Sequence, residues 1–375
     1  MNTADVLVIL AMALGFTHFS VPIAYYWYLK RRWLNNPWNI KIDHDYKPKI
    51  AIIIPTYMEA DLIEKKLENI YEQDYPKNRI KVVVVDSAST DGTPEKVKHW
   101  SKLHQDLELE LLLEPVRRGM VPALNYALRN VSDDAEIVVF TDVDAFLPKD
   151  ALRHVVKYFT DDRVGAVTLS VHPLNEAKEH EPEEVYRSYY NVVRVGESKI
   201  HSTPIHNGAF VAFRKRLLDS IGGLPTYTGN NDSTPASLIA FMGYRAIQVD
   251  YVAVHEPVRG SYFKRKIRRA QHLILHFINT KRYAKKLGIY RKTGFDKIWR
   301  IEAFLHLVNP WLLLVALILL LASLSMKSFT AFILLLLGTT LTLAHNSFRT
   351  WILNQLFLVT AFVRNLWTKE IAWSR

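Results

Sequence analysis

Ile137-Val-Val-Phe-Thr-Asp142-Val-Asp144-Ala-Phe-Leu147 is the stretch from which the rest of the chain is read. Its first four residues are apolar and mostly β-branched, the pattern of a buried strand. The strand runs straight into two carboxylates one residue apart. If extended geometry continues, side chains alternate with a period of 2, and Asp142 and Asp144 point the same way. Two acids at a strand end suit a hard divalent cation, which takes oxygen ligands and shares them with phosphate. The same triplet also occurs in solvated turns, so the surrounding chain has to arbitrate.

Working outward, the strand pattern recurs. Ile50–Ile54 stops at Pro55, Lys81–Val85 stops at Asp86, and Leu107–Leu113 forms a third apolar run. Helical spacing fills the intervals, through Leu62, Ile63, Leu67 and Ile70 in Asp61–Tyr71, and again over Val121–Arg129. Ser87–Thr93 is a polar loop into another helix, with Thr93 its expected cap and Pro94 its first residue. Strands alternating with helices predict an α/β layered domain on a mostly parallel sheet. Ligands bind such sheets beyond the C-terminal strand ends, where both Asp86 and Asp142 fall. Turn and helix-cap chemistry is the other use for Asp86 and for Asp91. Further on, Val164–Val171 reads as a strand, Glu183–Ile200 as a helix and Pro235–Met242 as a short helix ending at Gly243. Tyr186, Tyr189, Tyr190 and Val193 on the longer helix, interspersed with Arg187 and Arg194, suit core packing or an interface.

The chain has 375 residues, 49% hydrophobic and 23% charged, so it is neither disordered nor wholly membrane-embedded. It lacks cysteine, which excludes disulfides, Cys-ligated zinc and a cysteine nucleophile. Its net charge of +11 and pI near 9.5 suit anionic partners. The position of the charge separates those partners. Lys30-Arg31-Arg32 follows an apolar run, Val6–Leu29, that closes on Tyr25, Tyr26, Trp27 and Tyr28; this predicts an uncleaved signal-anchor with its basic end cytoplasmic. Tyr262–Leu287 is a basic amphipathic helix expected at a membrane surface. Ala303–Leu324 and Phe329–Ala344 flank a four-residue loop as a helical hairpin, and Thr350–Val363 is a third span or an interfacial helix. Membrane is therefore the expected partner, not nucleic acid. The expected divisions are 1–32 (anchor), 48–260 (catalytic domain), 261–300 (interfacial helices) and 301–375 (C-terminal transmembrane helices).

Six ordered motifs carry a family resemblance over about residues 50–270. They are Ile52-Ile-Ile-Pro-Thr-Tyr-Met-Glu59 with Gln73-Asp-Tyr-Pro76; Val84-Val-Asp86-Ser-Ala-Ser-Thr-Asp91-Gly-Thr93; Arg117-Arg-Gly-Met-Val-Pro-Ala-Leu-Asn125; Thr141-Asp142-Val-Asp144; Asn207-Gly-Ala-Phe-Val-Ala-Phe-Arg214 with Ile221-Gly-Gly223; and Asn231-Asp232. Together they resemble the membrane-anchored family 2 glycosyltransferases. That resemblance implies a GT-A nucleotide-sugar-binding, Rossmann-like domain, with one N-terminal and two to three C-terminal transmembrane or interfacial helices. By the same resemblance Pro55, Thr56, Glu59, Asp86 and Asn125 belong to the nucleotide-sugar site, Asp142 contacts ribose, and Asp144 binds Mg2+ or Mn2+. The ion would neutralise charge building on the diphosphate. Arg118, or Arg117 in its place, would add fixed positive charge. His255 is either a third metal ligand or a structural histidine.

Asp232 matches the second acid of the family's Glu-Asp pair, with Asn231 in place of the first. It is the expected general base of an inverting displacement. The Gln-x-x-Arg-Trp motif of processive members is absent; the region reads Arg265-Lys-Ile-Arg268-Arg269-Ala270-Gln271. This favours single transfer from a UDP- or GDP-sugar to a lipid or glycolipid acceptor such as a polyprenyl lipid, with Arg268 or Arg269 on diphosphate or lipid phosphate. The rival expectations are a processive polysaccharide synthase and a non-catalytic nucleotide-sugar-binding scaffold.

Overall fold

The computed structural model describes residues 2–173, 181–226, 230–256 and 262–368. Helix α1 (Thr3–Arg32) opens the chain, capped by Asn2 and Asp5 in a reciprocal box. The layered part then runs β1 (Ile50–Thr56), α2 (Ile63–Tyr71), β2 (Ile80–Asp86), α3 (Thr93–Leu103), β3 (Glu108–Leu113), α4 (Met120–Arg129) and β4 (Ile137–Thr141). After it come α5 (Ala151–Val156), β5 (Val164–Pro173), α6 (Glu181–Ile200), β6 (Phe210–Arg214), α7 (Lys215–Ser220), α8 (Ser233–Phe241) and β7 (Arg245–Glu256). The seven strands form one sheet in the order β3-β2-β1-β4-β6-β5-β7. Pairing is parallel except around β6, which runs against both β4 and β5. One face packs Ile52, Val82 and Val139 against Leu67 and Trp100; the other packs Ile53, Val83 and Phe140 against Leu124 and Ile239. Because both faces are covered, the central strands read as unbroken apolar runs instead of alternating ones.

The C-terminal part is α9 (Tyr262–Lys286), α10 (Gly294–Ala303), a π-helical turn at Phe304–Val308, α11 (Asn309–Ser325), α12 (Phe329–Ala344) and α13 (Asn346–Arg364). Two helical runs, Thr3–Arg32 and Gly294–Ser325, are long and apolar enough to cross a membrane. The α12–α13 pair counts as a third only as a broken span, bent by 108°. Helix α1 is tied to these helices by polar contacts: His18 Nδ1 lies 2.9 Å from the Asn309 carbonyl, and Trp351 donates to His18 Nε2 at 2.9 Å.

Several local expectations change. The cap of α3 is Gly92 in the left-handed region (φ 88°); the Thr93 hydroxyl instead accepts the Glu59 N–H at 2.9 Å and donates to Asp91 Oδ1 at 2.6 Å. The aromatic face of α6 meets α1: Tyr189 stacks on Tyr26 with centroids 5.1 Å apart, and its hydroxyl donates to the Pro22 carbonyl. Position 196 backs this contact. A Cβ there would lie 2.8 Å from Leu29 Cβ, so only glycine lets the helices approach this closely. The apolar face of α9, expected against a bilayer, packs inward instead. Ile274 meets Leu358 and Ala361 of α13, and Phe277 meets Trp299. The side chain of Tyr186 lies outside the described residues.

Candidate active site

The carboxyl ends of β1, β2 and β4 converge on one edge. There β4 stops at Thr141, and the Asp142 carbonyl accepts the Ala145 N–H at 3.2 Å. The triplet is thus a turn, and the extended alternation expected for Asp142 and Asp144 does not continue past the strand. Beneath the turn lies Lys66, which sequence reading overlooked. It is fully buried, and its ammonium donates to Thr141 Oγ1 at 2.9 Å and to the Ala145 carbonyl. Burial pushes the Lys66 amine down to about 7, against the opposing pull of Asp142 and Asp144. Its position was readable, because 66 falls on the same helix face as Ile63, Leu67 and Ile70.

Around this edge the other expected residues take definite partners. Asp86 is 1% exposed and accepts from Thr56 Oγ1 (2.9 Å), the Ser89 N–H (2.9 Å) and Ser89 Oγ (2.6 Å). Its carboxylate therefore orders the loop after β2, the turn chemistry that its position also allowed. Asp91 accepts from Ala60 N–H at 3.0 Å as well as from Thr93, which locks the loop after β1 to the start of α3. Pro55 and Thr56 close β1, and the Glu59 N–H donates to Thr93 Oγ1 at 2.9 Å. Arg117 lies over the Tyr57 ring, 3.9 Å from its centroid. Arg118 pairs with the buried Glu114 at 2.7 Å, and Ser87 Oγ holds the other Glu114 oxygen at 2.8 Å. Asn125, expected at the donor, clamps the backbone of Leu224 with both amide atoms, at 2.7 and 2.9 Å. One amide N–H and one oxygen lone pair thus serve the fold.

Asp142 also lines a cavity of about 240 Å3 shared with Asn231, Asp232 and Arg269. Asp232 caps α8 by accepting the Ser233 N–H, so α8 begins two residues earlier than its spacing predicts. Asp232 is part-buried in the cavity wall. Burial raises its pKa above the usual carboxylate range, against the hydrogen bonds from Ser233 and the charge of Arg194. Gly208 makes room for it: a Cβ at that position would sit 3.3 Å from Asp232 Oδ2. Arg187, Asn191 and Arg194 of α6 reach the same cavity. Their spacing of i, i+4 and i+7 was the available signal. Arg194 donates to Asn207 Oδ1 at 3.0 Å. His206 is buried with no hydrogen bond to either ring nitrogen, and burial with the nearby Arg194 and His276 lowers it to about 3. It lines the cavity as a neutral imidazole. Arg269 borders the cavity; Arg268, one residue earlier on α9, does not.

The donor set at the β4 end suits a hard cation. Asp142 and Asp144 offer carboxylate oxygens, and Mg2+ or Mn2+ typically completes its shell with water and substrate phosphate. No group of three His, Cys, Asp or Glu able to hold a metal exists among the described residues, and the His255 side chain lies outside them.

A seven-stranded mixed sheet with acids at its carboxyl edge places the candidate site where α/β enzymes bind their ligands. Residues 51–222 match the glycosyl transferase family 2, and residues 137–345 match the glycosyl transferase family group 2. A solved mannosyltransferase, PcManGT from Pyrobaculum calidifontis, in complex with GDP-Man and Mn2+, is 46% identical. It superposes with a TM-score of 0.86, covering 97% of this chain and 100% of that one. The chain belongs to the family 2 glycosyltransferases. A beta-monoglucosyldiacylglycerol synthase of Synechocystis is 30% identical over 49% of this chain and 39% of its own length. The poly-beta-1,6-N-acetyl-D-glucosamine synthase of Staphylococcus epidermidis is 24% identical over 73% of this chain and 67% of its own. The chain thus spans well under half of the first of these relatives.

Proposed function

We propose that the enzyme transfers one sugar, with inversion, from a GDP- or UDP-sugar to a lipid-linked acceptor at the cytoplasmic face of a membrane. The observation that carries this reading is a cavity lined by both Asp142 and the part-buried Asp232. In this reading Asp232 takes the proton of the acceptor hydroxyl as its oxygen bonds the anomeric carbon. The bond to the diphosphate breaks, and its electron pair leaves with the nucleoside diphosphate. Asp142 and Asp144 would hold a divalent ion, whose chemistry is to neutralise charge on that leaving group. Arg117, above Tyr57, is the cation at the donor edge in this scheme, with Arg118 held by Glu114 behind it. Asp86, Thr56 and Glu59 shape the loop against the base and ribose. A raised pKa suits Asp232 to the task, since a general base works best near the operating pH.

GDP-mannose is the first donor to test, because the mannosyltransferase that this chain matches over its full length was solved with it. The test is release of nucleoside diphosphate by the purified chain across a panel of GDP- and UDP-sugars, with and without Mn2+. Metal-dependent release from one donor supports the reading; no release from any donor overturns it. The match to the Staphylococcus synthase favours a second reading, a processive polymer synthase. Product length on a gel separates the two.

A further inference from the structure

Where α1 and α10 meet α6, two buried carboxyls stand outside the transfer chemistry. Glu197 of α6 and Glu302 of α10 are 0% and 1% exposed. Glu302 belongs to Gly294–Ser325, one of the two runs able to cross a membrane, where an ionised group is costly unless it is paired. Glu197 accepts from the Tyr25 hydroxyl of α1 at 2.7 Å and from Thr203 Oγ1 at 2.8 Å. Tyr25 is itself packed among Leu29, Val193 and Leu305. Glu302 lies close enough to hydrogen-bond Glu197, yet neither of its oxygens has a donor. The other titratable groups facing the pair are Tyr189 of α6 and His306 of the π-helical turn, with His276 of α9 behind His306. His306 Nδ1 is 3.3 Å from Glu302 Oε2, but its hydrogen is directed to the Glu302 carbonyl at 2.8 Å. Among the described residues no lysine or arginine pairs with either carboxyl. Two adjacent carboxylates without a cation repel. One proton between them removes a charge and supplies the donor that Glu302 lacks.

We propose that Glu197 and Glu302 share one proton, and that the resulting O–H···O bond is a positioning clasp fastening α1 and α10 to α6. The clasp bears on the candidate site through α6. Arg194, one helical turn before Glu197, lines the cavity of Asp232; Tyr190, a turn earlier, lines it too and meets His306 Nε2 at 3.4 Å. When the proton leaves, two charges face each other in an apolar setting, α10 is pushed off α6, and Tyr190 and Arg194 are displaced. Burial, and then the charge of Glu302, holds the Glu197 carboxyl well above the usual carboxylate range. The stabilisation by the clasp is therefore complete below the unfolded carboxylate value and is lost as pH rises through the raised one.

The test compares the purified full chain with Glu302→Gln, in which an amide N–H takes the place of the shared proton. In thermal melts from pH 6 to pH 9, wild type should lose stability at the alkaline end, while the variant matches it near neutrality and holds beyond. Transfer by the variant should stay within about twofold of wild type at pH 7, and only wild type should fall, by about tenfold per pH unit above the raised value. Glu197→Gln should also remove the alkaline loss, but at lower stability throughout, because its amide leaves Tyr25 or Thr203 without an acceptor. That second variant keeps the test decisive if the first does not fold. Infrared spectra of wild type at pH 7 should hold a protonated-carboxyl carbonyl band that Glu302→Gln lacks. An alkaline loss shared by wild type and both variants overturns the proposal. So does its disappearance in His306→Gln alone, which would put the proton on the imidazole. The transfer arm rests on the transferase reading and the melts and infrared band do not, so an inactive chain that shows both refutes that reading alone.

Discussion

Replacing Asp232 by asparagine separates the chemistry of this carboxylate from its place in the fold. The amide oxygen of the new side chain can still accept the Ser233 N–H that Asp232 accepts, so the cap of α8 survives. What it cannot do is take a proton. A positioned general base contributes about 10²–10⁴-fold, or roughly 3–5 kcal/mol of barrier, and transfer should fall by that factor with donor binding unchanged. Stability should move the other way. Burial raises the folded-state pKa of Asp232 above its unfolded value. Its stabilising contribution is therefore full below the unfolded carboxylate value and is lost as pH rises through the folded one. The asparagine variant has no such loss, so its melting temperature should gain on wild type between acid and neutral pH. Wild-type transfer should decline as pH falls through that raised value, above the range of an ordinary carboxylate. Radiolabelled transfer and thermal melts at pH 5 and pH 8 measure both effects. Transfer within about threefold of wild type, or a lower melting temperature at neutral pH, would refute the reasoning.

Three other substitutions probe the scaffold. Lys66→Met leaves the Ala145 carbonyl without its buried donor, a cost of about 1–3 kcal/mol, and should loosen the Asp142 turn. A denaturant melt and the concentration of Mn2+ needed for donor binding read the two effects. Gly208→Ala presses a methyl against Asp232 Oδ2 and should lower transfer more than stability, seen as a drop in kcat without a matching loss of melting temperature. Gly196→Ala forces α6 off Leu29 of α1 and should destabilise by about 1–3 kcal/mol, as overpacking does, with the loss read by thermal melting in detergent.

The strands were legible because both sheet faces are covered, which turns β1, β2 and β4 into unbroken β-branched runs that sequence reveals directly. Asp142, Asp144 and Asp232 were legible as motif positions, the last only through family resemblance, since Asn-Asn-Asp-Ser-Thr otherwise reads as a turn. Lys66 was missed because a lysine on an apolar helix face is ordinarily read as solvent-directed, and only the three-dimensional turn above it supplies its partners. The inward packing of α9 was misread for a related reason. Amphipathic spacing reports that one face is apolar, not whether lipid or another helix covers it. Asn125 and Arg118 show the same limit: polar residues in a binding motif were also spent on backbone and on a buried carboxylate.

The central claim is that this chain moves a sugar from a nucleotide diphosphate onto a lipid through Asp232. The most direct measurement incubates the purified full-length protein with GDP-[14C]mannose, Mn2+ and a membrane lipid extract, then follows label into the organic phase and the anomeric configuration of the product. The account predicts Mn2+-dependent, lipid-extractable label in the inverted, β configuration, abolished in Asp232→Asn. Label that enters lipid with retained configuration, or undiminished in that variant, would contradict it.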